Sequence, residues 1–503
     1  MGETSKQALN VFFGNSNYNV NENTAKFIEK LFGINWGNRI WDGNINVPHI
    51  TVDDELKQIL LKCINIESIS FDPVDRMKHS IGKSSIEILN SRLSILPCIV
   101  DAVVYPDRNE VYNLVKTLKK ENIHITVYGG GTSVTGGLIS KYTGKGRTVS
   151  IDTSKLKKIE LSDGIVLCGA GFTGKELEKI LNTKGKTMGN FPESFNYSTV
   201  GGWIATKESG QESNQYGDIE DMVSYIELVR SDGLFSDRYS PRSSSGISVK
   251  DIAMGSEGKC GIIMNAGIKV YNLPERRHYY SYFFKSFKDG IKSLMQMEKF
   301  PTVLRLSDET ETEFLFLSQN NSMATDIFSK YLSLRHVNRG SLLILINNNA
   351  RFKKPSNSIY SGRTIAKIWE NTRYERPYFG NVLWEHGLVP DTLETSVSWE
   401  NIIKLYDEAI LSFNNSIREL NIAGIIMSHI SHFYIDGCAI YFTFIIKTDK
   451  TDDLIKIRKS MVDVFLHNGG SITHHHGLGK YFEEFAGDNS VFMKMLRDDI
   501  FDK

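Results

Sequence analysis

The order of apolar and polar positions predicts a β-α-β unit that begins near residue 98. Residues 99–106 form an apolar run that ends at a proline, as is typical of a strand. Residues 108–121 place apolar side chains at helical spacing, and residues 123–128 form a second apolar run. Further strands are predicted at 148–152, 165–169, 224–230 and 262–271. Strands and helices mix in this part of the chain, which indicates an α+β fold.

The pattern changes on both sides of this part. Residues 1–96 are predicted to form a helical and loop-like N-terminal region, and Leu273-Pro274-Glu275 is a predicted boundary. From 276 to 450, strands alternate with amphipathic helices, as at 280–284, 287–300 and 342–347. Residues 451–503 are predicted to form a helix, a Gly/His-rich loop and a second helix. The 503 residues therefore divide into four regions, 1–96, 97–275, 276–450 and 451–503, and two to four domains are expected at about 100 to 200 residues each.

Composition narrows the functional classes. Lys and Arg total 59, as do Asp and Glu, so the formal net charge is zero. Nucleic-acid-binding domains are usually basic, so no nucleic-acid partner is expected. The five cysteines include no Cys-x-x-Cys pair, and we expect neither a metal site nor a disulfide framework. This use of cysteine fits a reducing compartment.

The sequence gives no indication of export or membrane insertion. No apolar run approaches the length of about 20 residues that spans a bilayer, and the first ten residues lack the apolar core of a signal peptide. The last residues, Ile500-Phe501-Asp502-Lys503, do not form the small-residue tripeptide of peroxisomal proteins. We expect a protein that is cytoplasmic or peripheral to a membrane.

Two glycine-rich segments follow predicted strands and differ in what they predict. Residues 129–137, Gly-Gly-Gly-Thr-Ser-Val-Thr-Gly-Gly, let backbone N–H groups face an anion without a Cβ in the way, as a pyrophosphate requires. Residues 169–174 match G-x-G-x-x-G, the dinucleotide fingerprint. That fingerprint requires a second strand that ends in an acid about 20 residues later. Residues 189–193 read as a loop instead, so we do not assign a Rossmann site.

Further turns of small residues follow at 198–203, 217–221 and 255–261. Their spread predicts one extended ligand that the backbone contacts repeatedly. No Walker A sequence occurs.

Taken in order, these segments resemble the alkyldihydroxyacetonephosphate synthase (alkylglycerone-phosphate synthase) family, in the FAD-binding group of vanillyl-alcohol oxidase and p-cresol methylhydroxylase (PCMH). The resemblance covers about residues 90 to 485. It rests on Tyr128-Gly-Gly-Gly-Thr-Ser, Tyr197-Ser-Thr-Val-Gly-Gly-Trp, Tyr216-Gly-Asp-Ile-Glu-Asp, Gly255-Ser-Glu-Gly, Leu304-Arg305-Leu306-Ser307-Asp308, Leu393-Glu394-Thr395-Ser396, Ile440-Tyr441-Phe442 and His474-His475-His476-Gly477. It implies a two-lobed PCMH-type FAD-binding domain with an inserted α+β substrate (cap) domain, and a C-terminal segment that returns to the active site.

The resemblance also implies a reaction. The cofactor is FAD, and the acyl group of acyl-dihydroxyacetone phosphate is exchanged for a fatty alcohol without net redox change, as in ether-lipid synthesis. The partners are small lipid substrates, and the resemblance leaves a peripheral membrane contact and a homodimer open. Two other functions remain open as well: a FAD-linked oxidase or dehydrogenase of a hydroxy acid or alcohol, and a flavin-binding protein without catalytic activity.

The family's site residues carry over to numbered positions of this chain. Those implied for FAD are Val127, Tyr128, Gly129, Gly130, Gly131, Thr132, Ser133, Glu193, Ser194, Phe195, Asn196, Tyr197, Ser198, Thr199, Thr206, Lys207, Glu208, Ser209, Glu257, Gly258, Lys259, Cys260, Gly261, Ile262 and Ile263. Those implied for catalysis are Tyr441, His474, His475, His476 and Arg305. In a strand, Tyr441 and Thr443 face the same side. In an extended segment the three adjacent histidines alternate sides, which makes them poor chelators.

The chain departs from the family at four places. Asn190 stands where the family has a histidine, Ser248 where it has an aspartate, and Lys259-Cys260 where it has Thr-Leu. Gly380 stands where the family has the arginine that binds the substrate phosphate, and Arg373 and Arg376 are nearby in sequence. These departures affect the predicted lipid chemistry more than the predicted flavin site.

Overall fold

A computed structural model describes residues 7–14, 18–139, 146–162, 164–317 and 340–487. Helices and strands are mixed throughout, so the predicted α+β class is confirmed. Within these ranges the strands form three larger sheets and two small ones.

The first sheet contains the predicted β-α-β unit. Its strands lie in the order Ile69–Ser70, Ala102–Val104, Thr148–Asp152 and His124–Tyr128, and the last three are parallel. Helices Asp54–Leu61 and Val111–Lys120 pack their apolar faces against it. The glycine-rich segment at 129–137 begins where His124–Tyr128 ends.

The second sheet has five antiparallel strands. Their order is Gly233–Ser236, Val223–Arg230, Ile262–Lys269, Ile165–Gly169 and Ile159–Ser162. The strand predicted over 262–271 is in fact two strands, because Tyr271–Asn272 leaves this sheet and pairs with Lys186–Thr187. Helices Gly174–Asn182 and Val200–Thr206 cover this sheet, and Trp203 is buried between them and the strands.

The third sheet has seven antiparallel strands. Their order is Ile359–Gly362, Arg277–Phe284, Ser341–Asn348, Val303–Ser307, Gly424–Phe433, Gly437–Ile446 and Val389–Ser398. Alternation along Gly437–Ile446 sends Phe442 and Phe444 to the core beneath helices Ile402–Leu420 and Thr451–His467. It sends Tyr441 and Thr443 to the opposite side, where a cavity lies.

The remaining elements connect these sheets. The other helices are Glu22–Phe32, Pro73–Lys78, Ser85–Arg92, Ser213–Tyr216, Ile219–Met222, Val249–Ala253, Phe287–Leu294, Glu309–Leu317, Thr364–Thr372 and Arg376–Glu385, with 3-10 turns at Ile66–Ser68 and Glu483–Phe485. The N-terminal region also contains strands, since Ala8–Asn10 pairs with Asn44–Asn46. The second helix predicted after the histidines lies partly outside the described residues, and the 3-10 turn is the element described there.

Candidate active site

One large cavity, of about 1350 Å³, lies between the flavin-type loops and the seven-stranded sheet. Its wall takes side chains from every region of the chain, from Phe13 to His476. Among the described residues, none of the helices combines the length and the apolar character that are needed to cross a membrane.

The glycine loop after His124–Tyr128 is shaped for close backbone approach. A Cβ on Gly130 would collide with the backbone oxygen of Tyr197, and one on Gly129 would collide with Thr199. Gly131 has a φ of +66°, which favours glycine. The loop therefore presents bare backbone to the cavity, as a pyrophosphate-binding loop must, and the site fits FAD.

Many of the residues that the resemblance implies for FAD line this cavity. They come from four separate segments, as one extended ligand requires. They are Val127, Gly129, Gly130, Gly131, Thr132, Ser133, Glu193, Ser194, Ser198, Thr199, Thr206, Glu208, Ser209, Glu257, Gly258, Gly261 and Ile263.

The other implied FAD residues are not among those that line the cavity, and their part in FAD binding stays a prediction. They are Tyr128, Phe195, Asn196, Tyr197, Lys207, Lys259, Cys260 and Ile262. Tyr128, Cys260 and Ile262 are buried in the fold. Phe195 stacks on Tyr374 with ring centroids 5.4 Å apart, and Asn196 lies in the same turn. A family motif carries over as a whole segment, but only alternate side chains of an extended segment face the same surface.

Three polar residues of this second group, Tyr197, Lys207 and Lys259, have partners of their own. The Tyr197 hydroxyl is 2.9 Å from the hydroxyl of Tyr378. Lys207 pairs with Glu220 at 3.0 Å and Lys259 pairs with Glu257 at 3.1 Å.

Tyr441 is held on two sides. Its ring stacks on His429, with centroids 4.7 Å apart and planes 7° apart, and its hydroxyl is 3.2 Å from His475 Nδ1. Burial raises the pKa of Tyr441 well above its ordinary value, so the phenol is protonated at neutral pH. Burial, together with the charge of Arg305, lowers the pKa of His429 to about 3, so this histidine is neutral.

One buried carboxylate, that of Glu394, holds the histidine loop (residues 473–476) in its conformation. Glu394 belongs to one of the motifs that carry the resemblance, but the sequence assigned it no role. Glu394 accepts hydrogen bonds from the backbone N–H groups of His474, His475 and His476, and from the hydroxyl of Thr473. Burial raises its pKa, but the electrostatic interactions with His476 and His474 and these hydrogen bonds outweigh burial and hold the pKa of Glu394 below its ordinary value. The loop therefore curls around an anion.

Because of this curl, the loop is not the extended segment in which adjacent histidines alternate sides. His474 Nδ1 and His475 Nδ1 are 2.8 Å apart instead of facing opposite sides. Ligand-type nitrogens of His432, His474 and His475 lie within 4.8 Å of one another. All three are hydrogen-bonded to protein groups, to Ser213 and Tyr434 among them, so we describe the cluster as a hydrogen-bonded network.

A cluster of cations lies beside Tyr441. Arg305 pairs with Glu311 at 2.6 Å, and Arg376 approaches the same carboxylate at 3.4 Å. Burial and the charge of Arg376 lower the pKa of Arg305 to about 10, so Arg305 remains charged at neutral pH. Arg373 is bound elsewhere, to Glu212 at 3.1 Å. Two guanidinium groups thus share one carboxylate, which leaves positive charge at the cavity.

Three of the four departures from the family, at Ser248, Asn190 and Gly380, fall at different distances from this cavity. Ser248 caps helix Val249–Ala253, a role that serine and aspartate both fill, in a loop away from the cavity. Asn190 is fully buried, and its side-chain atoms have no hydrogen-bond partner among the described residues. Gly380 lines the cavity, and a Cβ there would meet only Pro390, at 3.9 Å.

Other residues at the site had no functional assignment from the sequence. Glu311, His429, His432 and Tyr434 lie on the cap elements, and Lys83 comes from the N-terminal region. They are brought in by pairing across strands and by long-range packing. His429 and His432 are polar residues on an apolar strand, which is the one signal that the sequence offered for this set.

Two family models match this chain. The model described as "FAD binding domain" matches residues 100–236, and the one described as "FAD linked oxidases, C-terminal domain" matches residues 356–490. The alkyldihydroxyacetonephosphate synthase of Dictyostelium discoideum is 32% identical over an aligned length of 462 residues, and the match covers 84% of this chain and 74% of the relative. FAD is therefore the cofactor of this chain.

Solved structures and a further relative agree with this result. A solved alkyldihydroxyacetonephosphate synthase has a TM-score of 0.80 and 28% identity, and the match covers 95% of this chain and 90% of that one. The uncharacterised FAD-linked oxidoreductase YgcU of Escherichia coli strain K12 is less similar, at 24% identity over 87% of this chain and 92% of the relative. The glycine cradle (residues 129–137), Tyr441 and the histidine loop thus occur in a chain that belongs to the alkyldihydroxyacetonephosphate synthase family.

Proposed function

We propose that this protein is a FAD-dependent alkyltransferase that exchanges the acyl group of acyl-dihydroxyacetone phosphate for a fatty alcohol, a step of ether-lipid synthesis. One observation carries the proposal: a single cavity joins the glycine cradle, the Tyr441–His475 pair and a long apolar wall. A long-chain substrate needs all three within one enclosure.

The apolar wall lies opposite the glycine cradle. It is built by helices Glu309–Leu317, Thr364–Thr372 and Arg376–Glu385 with the adjoining strands, and includes Phe314, Leu315, Ile368, Trp369, Phe379, Leu383, Met427 and Ile445. Each methylene group that leaves water contributes about 0.8 kcal/mol. This wall therefore favours a long alkyl or acyl chain over a short hydroxy acid, and such a substrate suits a peripheral membrane contact.

The residues divide the work of the exchange. Tyr441, which is protonated at neutral pH, gives its hydroxyl proton to the substrate and takes it back, and His475 is within hydrogen-bonding distance of its hydroxyl. Arg376 and Arg305 supply positive charge for the phosphate. Bound FAD supplies the electron-accepting ring chemistry and ends the cycle unchanged.

A FAD-linked oxidase or dehydrogenase is the second candidate. Gly380 favours it, because the family's phosphate-binding arginine is missing there. The likeness to YgcU, described as an oxidoreductase, points the same way.

The deciding experiment combines a spectrum with product analysis. The holoenzyme is mixed without oxygen with palmitoyl-dihydroxyacetone phosphate, and then with hexadecanol. For the transferase we expect the yellow flavin band to bleach and then to recover, with release of palmitate and formation of hexadecyl-dihydroxyacetone phosphate. A flavin that ignores this substrate but is reduced by a hydroxy acid or alcohol would instead establish the oxidoreductase.

A further inference from the structure

One corner of the cavity contains a lysine that the proposed reaction leaves unused. Lys83 is half-buried, lines the cavity and precedes helix Ser85–Arg92. Its Nζ donates hydrogen bonds to the backbone oxygens of Val11, at 2.6 Å, and of Phe12, at 3.3 Å. An ammonium group has three N–H donors, so one of them remains for a further acceptor.

This ammonium group has no acidic partner within the part of the chain that the structure describes. Burial lowers the pKa of Lys83 to about 8, against an opposing effect of Glu87, and Lys78 lowers it further. Glu87 is turned to other groups, because its oxygens accept hydrogen bonds from the Gly82 N–H and the Ser84 hydroxyl, and burial raises its pKa. Most molecules therefore carry the Lys83 charge at neutral pH, and an anion from outside the chain would pair with it.

The backbone of Lys83 is fixed to the glycine cradle. Its N–H donates to the backbone oxygen of Ser133, which belongs to the cradle, at 2.7 Å. The preceding residue packs just as closely, since a Cβ on Gly82 would lie 2.6 Å from the same oxygen. Lys83 is therefore held beside the loop that is shaped for a pyrophosphate.

The side chain of Lys83 points to a different part of the cavity wall. Its Nζ lies 5.4 Å from the centre of the Phe13 ring. The backbone of Phe13 exchanges two hydrogen bonds with the Asn381 side chain, at 3.2 Å and 2.8 Å. Asn381 follows Gly380, where the wall carries no side chain. Contacts thus connect Lys83 with the cradle on one side and, through Phe13, with the open wall at Gly380 on the other.

We propose that Lys83 is a phosphate-binding residue of this cavity, whose ammonium group pairs with a phosphate of the bound ligand. Two ligands bring this chemistry, acyl-dihydroxyacetone phosphate and the pyrophosphate of FAD, and only the first rests on the proposed function. A lysine ammonium is a compact charge with several donors, which suits phosphate oxygens. Lys83 comes from the N-terminal region and adds a third cation to Arg305 and Arg376 of the cap.

The first test removes the charge and keeps the length of the side chain. If the phosphate is that of the substrate, Lys83→Met should raise KM by about 10- to 150-fold and leave the Kd of FAD unchanged. If it is that of FAD, the Kd of FAD should rise by this factor instead. Lys447→Met is the matched control, because Lys447 Nζ also donates to two backbone oxygens, of Phe32 and Gly33, but does not line the cavity. An unchanged KM together with an unchanged Kd would show that Lys83 binds no phosphate.

The pH dependence separates the charge of Lys83 from its packing. Only the ammonium form pairs with a phosphate, so the affected constant of the wild-type protein should rise above pH 8, by about tenfold per pH unit, toward the value of Lys83→Met. In Lys83→Met the same constant should not change over this range. Parallel profiles in the two proteins would mean that Lys83 acts through packing alone, and the phosphate assignment would fail.

A further test uses the wild-type protein and needs no turnover. At neutral pH, acetic anhydride should acetylate Lys83 faster than lysines with an ordinary pKa of about 10.4, and peptide mass spectrometry gives the rate. Glycerol 3-phosphate should slow this acetylation in the holoenzyme, whereas glycerol should not. Protection by FAD in the apoprotein, without an effect of glycerol 3-phosphate on the holoenzyme, would assign the phosphate to the cofactor.

Two remaining outcomes of this test separate the site from the proposed function. If neither glycerol 3-phosphate nor FAD slows the acetylation, Lys83 does not bind phosphate. If glycerol 3-phosphate protects Lys83 but acyl-dihydroxyacetone phosphate is not turned over, the phosphate site stands and the proposed substrate fails.

Discussion

The side chain of Tyr441 combines a buried phenol with a ring stack on His429. The first prediction follows from this pair of contacts. Tyr441→Phe keeps the stack and loses only the hydroxyl, so we expect full FAD content and no turnover. The absorption spectrum checks the flavin, and product formation with palmitoyl-dihydroxyacetone phosphate and hexadecanol checks activity. Full activity would remove Tyr441 from the mechanism.

A second residue-scale question is how this chain binds a phosphate without an arginine at 380. Arg376 precedes Gly380 by four residues in helix Arg376–Glu385, and positions four apart share one face. Side chains on a helix lean toward its N-terminus, so an arginine at 380 would reach over the turn where Arg376 lies. We infer that Arg376 supplies the charge that the family places one turn later.

The second prediction tests this replacement. Arg376→Ala should raise KM for acyl-dihydroxyacetone phosphate by about 10- to 150-fold, because a hydrogen bond to a charged group contributes about 1.5–3 kcal/mol. Adding Gly380→Arg in the same chain should restore much of the loss, since a Cβ at 380 would meet only Pro390, at 3.9 Å. An unchanged KM in Arg376→Ala would assign the phosphate to another cation.

The Glu394 carboxylate joins strand Val389–Ser398, on which it lies, to the histidine loop. Its folded-state pKa is lowered, so its stabilising contribution is present above the unfolded value of about 4.3 and is lost as the pH falls through the folded value. The third prediction is that Glu394→Gln lowers the unfolding temperature at pH 7 and narrows the difference between pH 7 and pH 4. Thermal unfolding of both proteins at the two pH values checks it. An equal shift at both pH values would mean that the charge is not what stabilises the loop.

At the scale of helices and strands, the sequence predicted where strands lie better than it predicted which groups they contact. Periodicity located Thr148–Asp152 and Ile165–Gly169, because their apolar faces are continuous. It could not show that Glu394 pulls three backbone amides inward, since that depends on the register of Val389–Ser398 against Gly437–Ile446. The helix predicted over 287–300 ends at Leu294, where the following residues turn away.

Across the molecule, distant parts of the chain meet at shared polar groups. The carboxylate of Asp391 receives both a bidentate pair from Arg458 at 2.7 Å and a hydrogen bond from Ser85 at 2.9 Å. The N-terminal region is therefore tied to the cap and to the C-terminal helix. The division of the chain into regions that end at residues 96, 275 and 450 stays a prediction. A change in the pattern of apolar and polar residues marks a segment, but it does not show which segments contact one another.

The same arrangement makes FAD a structural element, because the cavity wall draws on every region of the chain. A ligand that binds only the folded state stabilises it by RT ln(1 + [L]/Kd), about 2.7 kcal/mol at 100 times Kd. The fourth prediction is that added FAD raises the unfolding temperature of apoprotein in proportion to the logarithm of its concentration. Gly130→Ala should abolish the increase, because the new Cβ collides with the backbone oxygen of Tyr197, whereas the exposed Gly37→Ala should preserve it. If Gly130→Ala responds to FAD like the wild-type chain, the cofactor is not held by the loop at 129–137, and the cavity must be assigned to a different ligand orientation.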